Sequence, residues 1–456
     1  MVDSIREGRD RLEEKVRERT ADLKKSLDEV QALKTQQDGD YFLTARLIKP
    51  LGSNFAKSEN INIEFYIKQK KNFHFRTWED EIGGDLCMSD TIFLQERKFV
   101  VFMNADAMGK SMQGAGGALV LGSVLRAIIE RTKLSSTVKT QPPERWLKNA
   151  FLELQKVFES FDGLMLVSSM FGLVDDEAGL VYYMNAEHPR AVIYRDGTAE
   201  YIEESSIFRK LGTQVDEGLL TISIYQMRPG DVLILGTDGR DDLMISLPDG
   251  SAAIDQDESS FLRKVVDGEG SLAGIAKAIS VAGDLTDDLA LLRISFQEGK
   301  QAERKLHPEA LRLLRNGREE IRCGNYESAS AMLRSALDFD VSNPDIWKAV
   351  SRVAFHRGEY REAGDAAMAV LRINPSDSAT LYAASYCLRK IRNFAAAAEL
   401  GERLRLREPT HLRNLRNLAA SYFSSGNLLR AREIAEDILK LDKTDRIARQ
   451  VLEEKN

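Results

Sequence analysis

The first part of the chain combines many charged residues with apolar residues that recur at steps of four and seven. Such spacing is typical of a helix with one apolar stripe and, where it persists, of a coiled coil. We therefore predict one charged helix up to about Gln37, followed by Gly39, which interrupts the helical pattern. The apolar positions of this stripe are Ile5, Leu12, Val16, Leu23, Val30 and Leu33.

Polar side chains at Arg9, Arg19 and Ser26 break this stripe, so a coiled coil formed by residues 1–40 is expected to be short and weak. Two interpretations stay open. In the first, the segment is a solvated linker helix. In the second, it forms a parallel homodimer seam that passes a signal into the next domain.

Residues 41–298 alternate between short runs rich in Val, Ile, Phe and Tyr and longer runs with helical periodicity. The short runs predict β-strands bounded by turn residues, and the longer runs predict helices, as in a mixed α/β domain. The predicted strands are Ile61–Gln69, Phe99–Asn104, Leu180–Asn185, Val192–Arg195, Leu219–Tyr225, Val232–Gly236 and Leu289–Phe296. The predicted helices are Gln113–Arg131, Pro143–Phe161 and Leu272–Ala282.

Residues 308–456 show no strand pattern but have an internal period of 34 residues. A 34-residue helix–turn–helix period with a small residue at constant phase resembles the tetratricopeptide repeat. Because one helix pair cannot bury its apolar stripe alone, four repeats are expected to stack into an all-α solenoid that binds a protein partner. The repeated positions are Gly324, Gly358, Arg392 and Gly426 in the turn, and Ala329, Ala363, Ala397 and Ala431 in the following helix.

The composition excludes several classes of protein. Hydrophobic residues make up 43% and charged residues 30% of the chain, as in globular proteins. Cys87, Cys323 and Cys387 are far apart and form neither a disulfide framework nor a zinc pattern, which favours a cytoplasmic location. No run of roughly 18 apolar residues predicts a membrane span. The net charge of −7 argues against a nucleic-acid partner.

Four carboxylate motifs occur in the middle region, at least three of them at the end or start of an apolar strand. An isolated Asp-Gly is usually a turn. Several strand-tip acids from distant parts of the sequence, however, supply the oxygen ligands that Mg²⁺ and Mn²⁺ prefer. Without a cation, such clustered carboxylates would repel one another. The motifs are Gly83-Gly84-Asp85, Asn104-Ala105-Asp106-Ala107-Met108-Gly109-Lys110, Gly236-Thr237-Asp238-Gly239 and Thr286-Asp287-Asp288.

These motifs resemble, in their order, those of the SpoIIE/RsbU-type serine phosphatases, the bacterial branch of the metal-dependent type 2C (PPM) protein phosphatases. Asn185-Ala186-Glu187-His188 and Arg228-Pro229-Gly230-Asp231 add to the resemblance, which covers about Ile61 to Phe296. It implies an αββα sandwich with two divalent cations, Mn²⁺ or Mg²⁺, at one edge. The whole chain is therefore expected to be α+β, with an N-terminal signalling helix and a C-terminal solenoid.

The resemblance also implies roles for individual residues. Asp106 matches the acid that bridges both cations, and the carbonyl of Ala107 matches a backbone ligand. Asp238 matches the ligand in the Thr-Asp-Gly loop, and Asp287 matches the first acid of the terminal pair. Asp106, Asp238 and Asp287 are therefore the expected catalytic residues.

Four further residues complete the expected site. Asp85 matches the Gly-Gly-Asp acid close to the second cation, and Asp288 supports Asp287 or replaces it as a ligand. Lys110 is a candidate contact for the substrate phosphate, with a solvated loop lysine as the alternative. His188 is the only histidine of the sequence near a motif, and a structural role is favoured for it.

The chain departs from the family pattern at four positions. Glycine is usual where Ala105, Ser111 and Glu187 stand, and glutamate is usual where Asp242 stands. None of these departures removes an expected cation ligand.

The expected activity is removal of phosphate from serine or threonine of a regulatory phosphoprotein, such as an anti-sigma-factor antagonist, in bacterial signalling. The sequence contains no Cys-x5-Arg nucleophile loop, which fits direct hydrolysis without a phosphoenzyme. The alternative is a catalytically silent scaffold that acts through protein binding by the repeats. A metal-dependent nuclease is disfavoured, because a phosphodiester backbone demands a basic surface.

Overall fold

The computed structural model describes residues 2–203, 208–214, 220–246, 251–255, 257, 259–298 and 307–453, with the backbone alone for residues 2–11, 13 and 246. Within these residues the chain forms a long N-terminal helix, a two-sheet domain and a C-terminal array of helices. The predicted junction between the middle domain and the repeats falls at residues 299–306, outside the described residues.

The N-terminal helix α1 runs from Val2 to Ile48, so the prediction of an interruption at Gly39 is wrong. Beyond Gly39 the helix is no longer a free linker, because Tyr41 and Ala45 are buried against Phe73 of the middle domain. Glycine inside a helix costs about 1 kcal/mol relative to alanine. Burial of the helical turns after Gly39 offsets this cost. The periodicity of the sequence does not predict this packing, because the contacts are made with a distant part of the chain.

The apolar stripe of α1 is uncovered in the single chain. Leu12, Val16, Leu23, Val30 and Leu33 are between 57% and 72% exposed. The side chain of Ile5, the first residue of the predicted seam, lies outside the described side chains. The homodimer seam therefore stays a prediction, and these exposed residues are the surface on which it can be tested.

The middle domain contains two antiparallel five-stranded sheets. Their strands are β1 (Ile61–Lys68), β4 (Asp85–Leu94), β5 (Arg97–Ala107), β6 (Val167–Asp175), β7 (Leu180–Ala186), β8 (Val192–Arg195), β9 (Thr198–Tyr201), β10 (Ser223–Gln226), β11 (Val232–Gly236) and β15 (Leu289–Phe296). The first sheet has the order β1-β15-β11-β8-β9, and the second has the order β10-β7-β6-β5-β4. Residues from both sheets, including Val100, Phe102, Leu292 and Ile294, form one buried core.

Helices cover the outer faces of both sheets. They are α2 (Met112–Leu134), α3 (Ser136–Lys139), α4 (Pro143–Glu159), α5 (Ser260–Asp267) and α6 (Leu272–Ala282). Helices α2 and α4 share a core with the second sheet, and α5 and α6 share another with the first. Both faces of β5, β6 and β15 are therefore buried, which explains their near-continuous apolar sequences. The expected αββα sandwich is confirmed.

Strands β4, β6 and β9 and helices α3 and α5 were not among the predicted elements. Two small sheets were not predicted either. They are formed by β2 (Lys71–Phe75) with β3 (Trp78–Ile82), and by β12 (Leu243–Ser246) with β13 (Ala252–Ile254) and β14 (Asp284–Leu285). The β2–β3 turn contains no Asn-Gly or Asp-Gly pair, the strongest hairpin indication in a sequence, and uses Arg76 at a φ of 57° instead. The strand predicted from Leu219 begins only at Ser223, and Leu219 itself lies outside the described residues.

Helix α2 is the one helix among the described residues that is long and apolar enough to cross a membrane. Half of its most apolar window is buried inside the protein. Its buried residues, such as Leu121, Leu125 and Ile128, belong to the core formed with the second sheet. The apolar character of α2 is thus explained by its place in the sandwich.

The C-terminal region consists of paired helices at constant spacing. They are α7 (Pro308–Cys323), α8 (Tyr326–Phe339), α9 (Pro344–His356), α10 (Tyr360–Ile373), α11 (Ser378–Lys390), α12 (Phe394–Arg407), α13 (Leu412–Ser424), α14 (Leu428–Leu441) and α15 (Arg446–Glu453). The second helices of the pairs start 34 residues apart, as the sequence period predicts. Arg392 takes a φ of 64° where the other three turns have glycine. The region is consistent with a helical-repeat solenoid.

The repeats dock on the sandwich through α12. Leu406 of α12 joins the core beneath α2 and α4, and its carbonyl accepts a 2.7 Å hydrogen bond from the backbone N–H of Ile222. Beside it, Glu144 of α4 is fully buried and accepts hydrogen bonds from Arg403 at 3.1 Å and Arg407 at 2.9 Å. This contact joins two regions that the sequence pattern treats as separate.

Candidate metal centre

Strand pairing brings the first two acidic motifs together. Asp85 begins β4 and lies directly opposite Asp106 near the end of β5. The backbone N–H of Ala107 donates a 3.1 Å hydrogen bond to the carbonyl of Gly84. A Cβ atom on Gly84 would lie 2.3 Å from the carbonyl oxygen of Ala107. Glycine is therefore required there, and it leaves room beside the carbonyl expected to be a ligand.

The other two motifs meet at the same edge through the first sheet. Antiparallel pairing of Gly236 with Leu291 places the end of β11 beside the start of β15. Thr237 then bridges the sheets, since its hydroxyl donates to Asp85 at 2.6 Å and accepts from the N–H of Ala290 at 2.9 Å. The acids of all four motifs therefore meet where the two sheets end together.

Asp287 and Asp288, the terminal acid pair, have different surroundings. Asp288 is buried, and its two carboxylate oxygens accept hydrogen bonds from the N–H groups of Lys70 at 2.7 Å and Gly84 at 3.0 Å. Asp287 is exposed and accepts a 2.9 Å hydrogen bond from the N–H of Asp288. Asp288 therefore holds the Gly84 loop in place, and Asp287 keeps oxygen lone pairs available for a cation.

The site destabilises the charged forms of several carboxylates. Burial raises the pKa of Asp85 well above its ordinary value, and the charge of Asp106 raises it further. Burial, followed by the charge of Asp238, raises the pKa of Asp106 to about 7. Burial also raises the pKa values of Asp238 and Asp288. A divalent cation at this edge would offset the desolvation and the mutual repulsion.

One carboxylate oxygen at the site lacks a partner in the described part of the chain. The Oδ1 atom of Asp85 is buried and has no hydrogen-bond partner among the described residues. An unsatisfied buried acceptor costs about 1–3 kcal/mol, and more when it is charged. In the part of the chain that the structure describes, no three His, Cys, Asp or Glu side chains already converge as a ready-made cage. The donor set is carboxylate and carbonyl oxygen, which suits Mg²⁺ or Mn²⁺.

Lys210 is a residue near the acids that the sequence did not single out. Leu211, its neighbour, exchanges backbone hydrogen bonds of 2.8 and 3.1 Å with Val167, which lies opposite Ala107 in the sheet. The positive charge of Lys210 lowers the pKa values of Asp106 and Asp238. Lys210 has no local motif, and only this pairing reveals its position.

Lys110, the lysine that the sequence nominated, is exposed on the loop before α2. The charges that act most on Asp106 and Asp238 do not include Lys110. Its role in binding substrate therefore stays a prediction, and the structure offers Lys210 as the stronger candidate.

His188 is part of the support of the site. It is buried, and its ring nitrogens lie 3.1 Å from the hydroxyl of Ser168 and 2.8 Å from Oδ1 of Asn104. Burial, assisted by the charges of Arg240 and Lys210, lowers its pKa to about 3. A neutral, fully bonded imidazole links β5 to the turn after β7, in agreement with the structural role favoured from the sequence.

Two departures from the family pattern carry a conformational cost. Ser111 has a φ of 53° and Glu187 a φ of 48°, both in the region that favours glycine. The backbone at these positions thus keeps a conformation suited to glycine although neither residue is one. Glu187 gains a 3.0 Å ion pair with Arg209.

A family comparison supports the resemblance that the motifs indicated. Residues 96–297 match the family model described as Stage II sporulation protein E (SpoIIE). This match contains the motifs of Asp106, Asp238 and Asp287 and confirms the resemblance for that region. No curated protein sequence matches the chain.

Several solved structures are similar to parts of this chain. The RsbU and RsbW domains of a Mycobacterium tuberculosis protein are 15% identical, covering 66% of this chain and 77% of that one with a TM-score of 0.40. The PP2C phosphatase domain of SpoIIE from Bacillus subtilis, with a fragment of its regulatory domain, is 12% identical, with coverages of 53% and 64% and a TM-score of 0.39. MamA from Desulfovibrio magneticus RS-1 is 20% identical, with coverages of 32% and 83% and a TM-score of 0.30. Likeness at this level supports no statement about function.

Proposed function

We propose that this chain, which carries a SpoIIE domain of the PP2C phosphatase class over residues 96–297, is a metal-dependent protein serine/threonine phosphatase. The proposed substrate is a phosphoserine or phosphothreonine of a regulatory phosphoprotein, such as an anti-sigma-factor antagonist. The observation that carries the proposal is the buried, unpartnered Oδ1 of Asp85 among carboxyl groups with raised pKa values. These acids form a site that needs positive charge.

In the proposed mechanism the cations would be held by Asp106, Asp238, Asp287, Asp85 and the Ala107 carbonyl. Bound Mn²⁺ or Mg²⁺ would supply the charge that activates water and offsets charge on the phosphate during in-line displacement. The chain then has to position the ligands and the substrate.

Positioning of the ligands falls to three residues around the acids. Thr237 fixes Oδ2 of Asp85 and leaves Oδ1 available. Asp288 anchors the Gly84 loop through the N–H of Gly84. A Cβ on Gly239 would lie 1.9 Å from the carbonyl oxygen of Asp288, so glycine is required for the Thr-Asp-Gly loop to pass this close. Rigid placement of this kind reduces the rearrangement needed when a cation and substrate bind.

Lys210 is proposed to bind the substrate phosphate. It is half-buried and carries no ion pair or side-chain hydrogen bond among the described residues. An ammonium group that faces Asp106 and Asp238 without a fixed partner can contact the anionic phosphate when it enters. The charge of Lys210 would also stabilise negative charge on the phosphate oxygens in the transition state.

Hydrolysis of a small aryl phosphate tests the proposal. The wild type should turn over with Mn²⁺ and stop with EDTA, and Asp106→Asn should retain less than about a tenth of the rate. Asp284→Asn is a matched control, because it removes an exposed carboxylate three residues from Asp287. Calorimetric titration with Mn²⁺ provides a second measurement, in which Asp106→Asn should bind more weakly than the control. If the wild type is folded but shows neither turnover nor Mn²⁺ binding, the phosphatase proposal is wrong and the alternative of a catalytically silent scaffold is favoured.

The repeats are proposed to bind a protein partner through aromatic residues of the first helices of successive pairs. Phe355 of α9 lies 5.8 Å from Tyr386 of α11, between ring centroids, and Tyr382 lies 5.6 Å from His411 at the start of α13. Lys390 lies 5.4 Å from the Tyr386 ring. Phe355 and Lys390 are exposed and the other three groups are half-buried, and such a row of aromatic and cationic groups suits a partner segment with apolar and acidic side chains.

A photo-cross-linking amino acid at Tyr382 tests this surface in cells. A discrete adduct is expected, and Tyr386→Ala in the same chain should reduce it. Leu429, which is 74% exposed on α14, is the control position. Identical adducts from positions 382 and 429 would contradict the assignment. A cytoplasmic location remains part of the proposal and rests on the cysteine pattern.

A further inference from the structure

A cavity of about 710 Å³ lies between the repeats and the sandwich, on the side of α4 that faces α12 and α14. We name it the interdomain cavity. Its cationic lining residues are Arg145 and Lys148 of α4 and Arg403, Arg405 and Arg430 of the repeats. Its volume is within the range of about 300–1,000 Å³ that is usual for small-molecule sites.

Two of these arginines are balanced by Glu402. This carboxylate accepts hydrogen bonds from Arg405 at 2.7 Å, from Arg430 at 2.8 Å and from the hydroxyl of Tyr422 at 2.9 Å. Burial alone would raise the pKa of Glu402, but the two guanidinium groups hold it below its ordinary value. Arg430 also pairs at 2.5 Å with Glu433, which lies outside the cavity lining. Among the lining residues themselves, five cations face two carboxylates, so the lining keeps an excess of positive charge.

The remaining cations have less compensation. Arg403 is paired with Glu144 at 3.1 Å, whereas Lys148 and Arg145 have no ion pair or side-chain hydrogen bond among the described residues. Glu399, the other lining carboxylate, accepts a 2.9 Å hydrogen bond from Gln95. Burial, followed by the charge of Arg405, lowers the pKa of Lys148. The charges of three arginines and of one carboxylate, Glu402, act on this half-buried ammonium, so an additional anion beside it would be favourable.

We propose that the interdomain cavity binds a compact, phosphate-rich small molecule through Lys148, Arg145, Arg405 and Arg430. Several cations around one cavity suit an anion that carries more than one negative charge, and arginine forks match phosphate oxygens. The site is separate from the acidic metal centre, which has the opposite sign of charge.

Binding at this site would be linked to the docking of the repeats. Arg403 lines the interdomain cavity and also pairs with the buried Glu144. A ligand that spans α4 and α12 would bridge the two domains and stabilise their contact. Ligand binding would therefore affect the sandwich through α4, because Leu147, Phe151 and Leu154 of α4 pack in the core of the sandwich.

The test is calorimetric titration of the full chain with inorganic triphosphate in EDTA, so that cations do not recruit phosphate to the metal centre. Each lost charged contact weakens binding by about tenfold or more. Lys148→Ala with Arg145→Ala removes two such contacts and should therefore weaken binding about a hundredfold. Lys156→Ala is the control, because Lys156 is an exposed lysine on the same helix and lies outside the cavity. Thermal melts verify that all variants are folded.

The outcomes separate the possible sources of a phosphate signal. Loss of binding in the Lys148/Arg145 variant, with retention in Lys156→Ala and in Asp106→Asn, supports the proposal. Equal affinity of all variants for triphosphate, or loss only in Asp106→Asn, would overturn it. Failure of the wild type to bind triphosphate would also overturn it, and binding of a phosphoserine peptide instead would indicate that the occupant is a protein.

Discussion

Glu144 offers the sharpest test of how the repeats are held on the sandwich. It is fully buried, and its partners Arg403 and Arg407 have side chains only 12% and 2% exposed. Burial alone would raise the pKa of Glu144, but the charges of Arg403 and Arg407 hold it below its ordinary value. The carboxylate is therefore charged at neutral pH, and its contribution to stability is lost only as the pH falls through that lowered pKa.

The substitution Glu144→Gln removes the charge with little change of shape and leaves two guanidinium groups without a buried counter-charge. Breaking one partner of a buried pair costs about 3–5 kcal/mol. Because the pair joins α4 to α12, this cost falls on the contact between the domains. A loss of about 3 kcal/mol corresponds to roughly a hundredfold higher population of the undocked state.

Hydrogen exchange of α4 and α12, together with thermal unfolding, measures this effect. Glu153→Gln is a matched control on the same helix, because Glu153 pairs with Arg131 and both side chains are about half exposed, at 43% and 53%. An exposed pair of this kind contributes about 0–1 kcal/mol. Exchange in α12 should accelerate in Glu144→Gln and stay near wild type in Glu153→Gln. If the two variants differ by less than about 0.5 kcal/mol, the buried pair does not hold the domains together.

Four further predictions address the site and the N-terminal helix. In EDTA the protein should lose stability as the pH rises from about 4 to about 7, between the ordinary pKa of Asp106 and its raised pKa in the folded state, because the ionised form of an acid with a raised pKa destabilises the folded state. For Asp106 the rise of the pKa from 3.8 to about 7 corresponds to a loss of at most about 4 kcal/mol of folding stability. Thermal melts with Mn²⁺ should show a weaker dependence on pH. Stability that increases with pH in EDTA would contradict the prediction. Lys210→Gln should lower kcat/KM about tenfold or more, whereas Lys110→Gln should lower it less than about twofold. The reverse order would favour Lys110 as the residue that binds the substrate phosphate. Ser111→Gly should raise the free energy of unfolding by about 1 kcal/mol, because glycine adopts a φ of 53° without the strain that serine has there. An unchanged or lower midpoint of urea unfolding would contradict this prediction. Replacing Val16, Leu23 and Val30 with glutamate should abolish the dimer in sedimentation equilibrium and change the specific phosphatase activity. If the wild type is already monomeric, the helix is a linker.

Local sequence information was sufficient for many of the elements, although it missed β4, β6 and β9 of the two main sheets. Val192–Arg195, Val232–Gly236, Leu272–Ala282 and Leu289–Phe296 begin and end in the structure where the apolar pattern places them. The 34-residue period likewise fixes where Tyr326, Tyr360, Phe394 and Leu428 begin their helices. Such features depend on side-chain periodicity and on turn residues close by in the chain, which one sequence contains.

Tertiary contacts decided the rest, because they join residues whose relation leaves no trace in local periodicity. The extension of α1 beyond Gly39 depends on burial of Tyr41 against Phe73. The position of Lys210 depends on the pairing of Leu211 with Val167.

The acidic motifs show both contributions at once. The sequence by itself determined which acids stand at strand tips and in what order, because a strand tip is a local feature of the chain. Only the folded sheets gave neighbouring acids different surroundings, with Asp288 bonded to two backbone N–H groups and Asp287 exposed. The same holds for Glu144, an ordinary glutamate in the sequence of α4 that is buried between two arginines from a helix about 260 residues away. Burial and the partners of a charge are set by the packing of distant segments, and these decide its free energy.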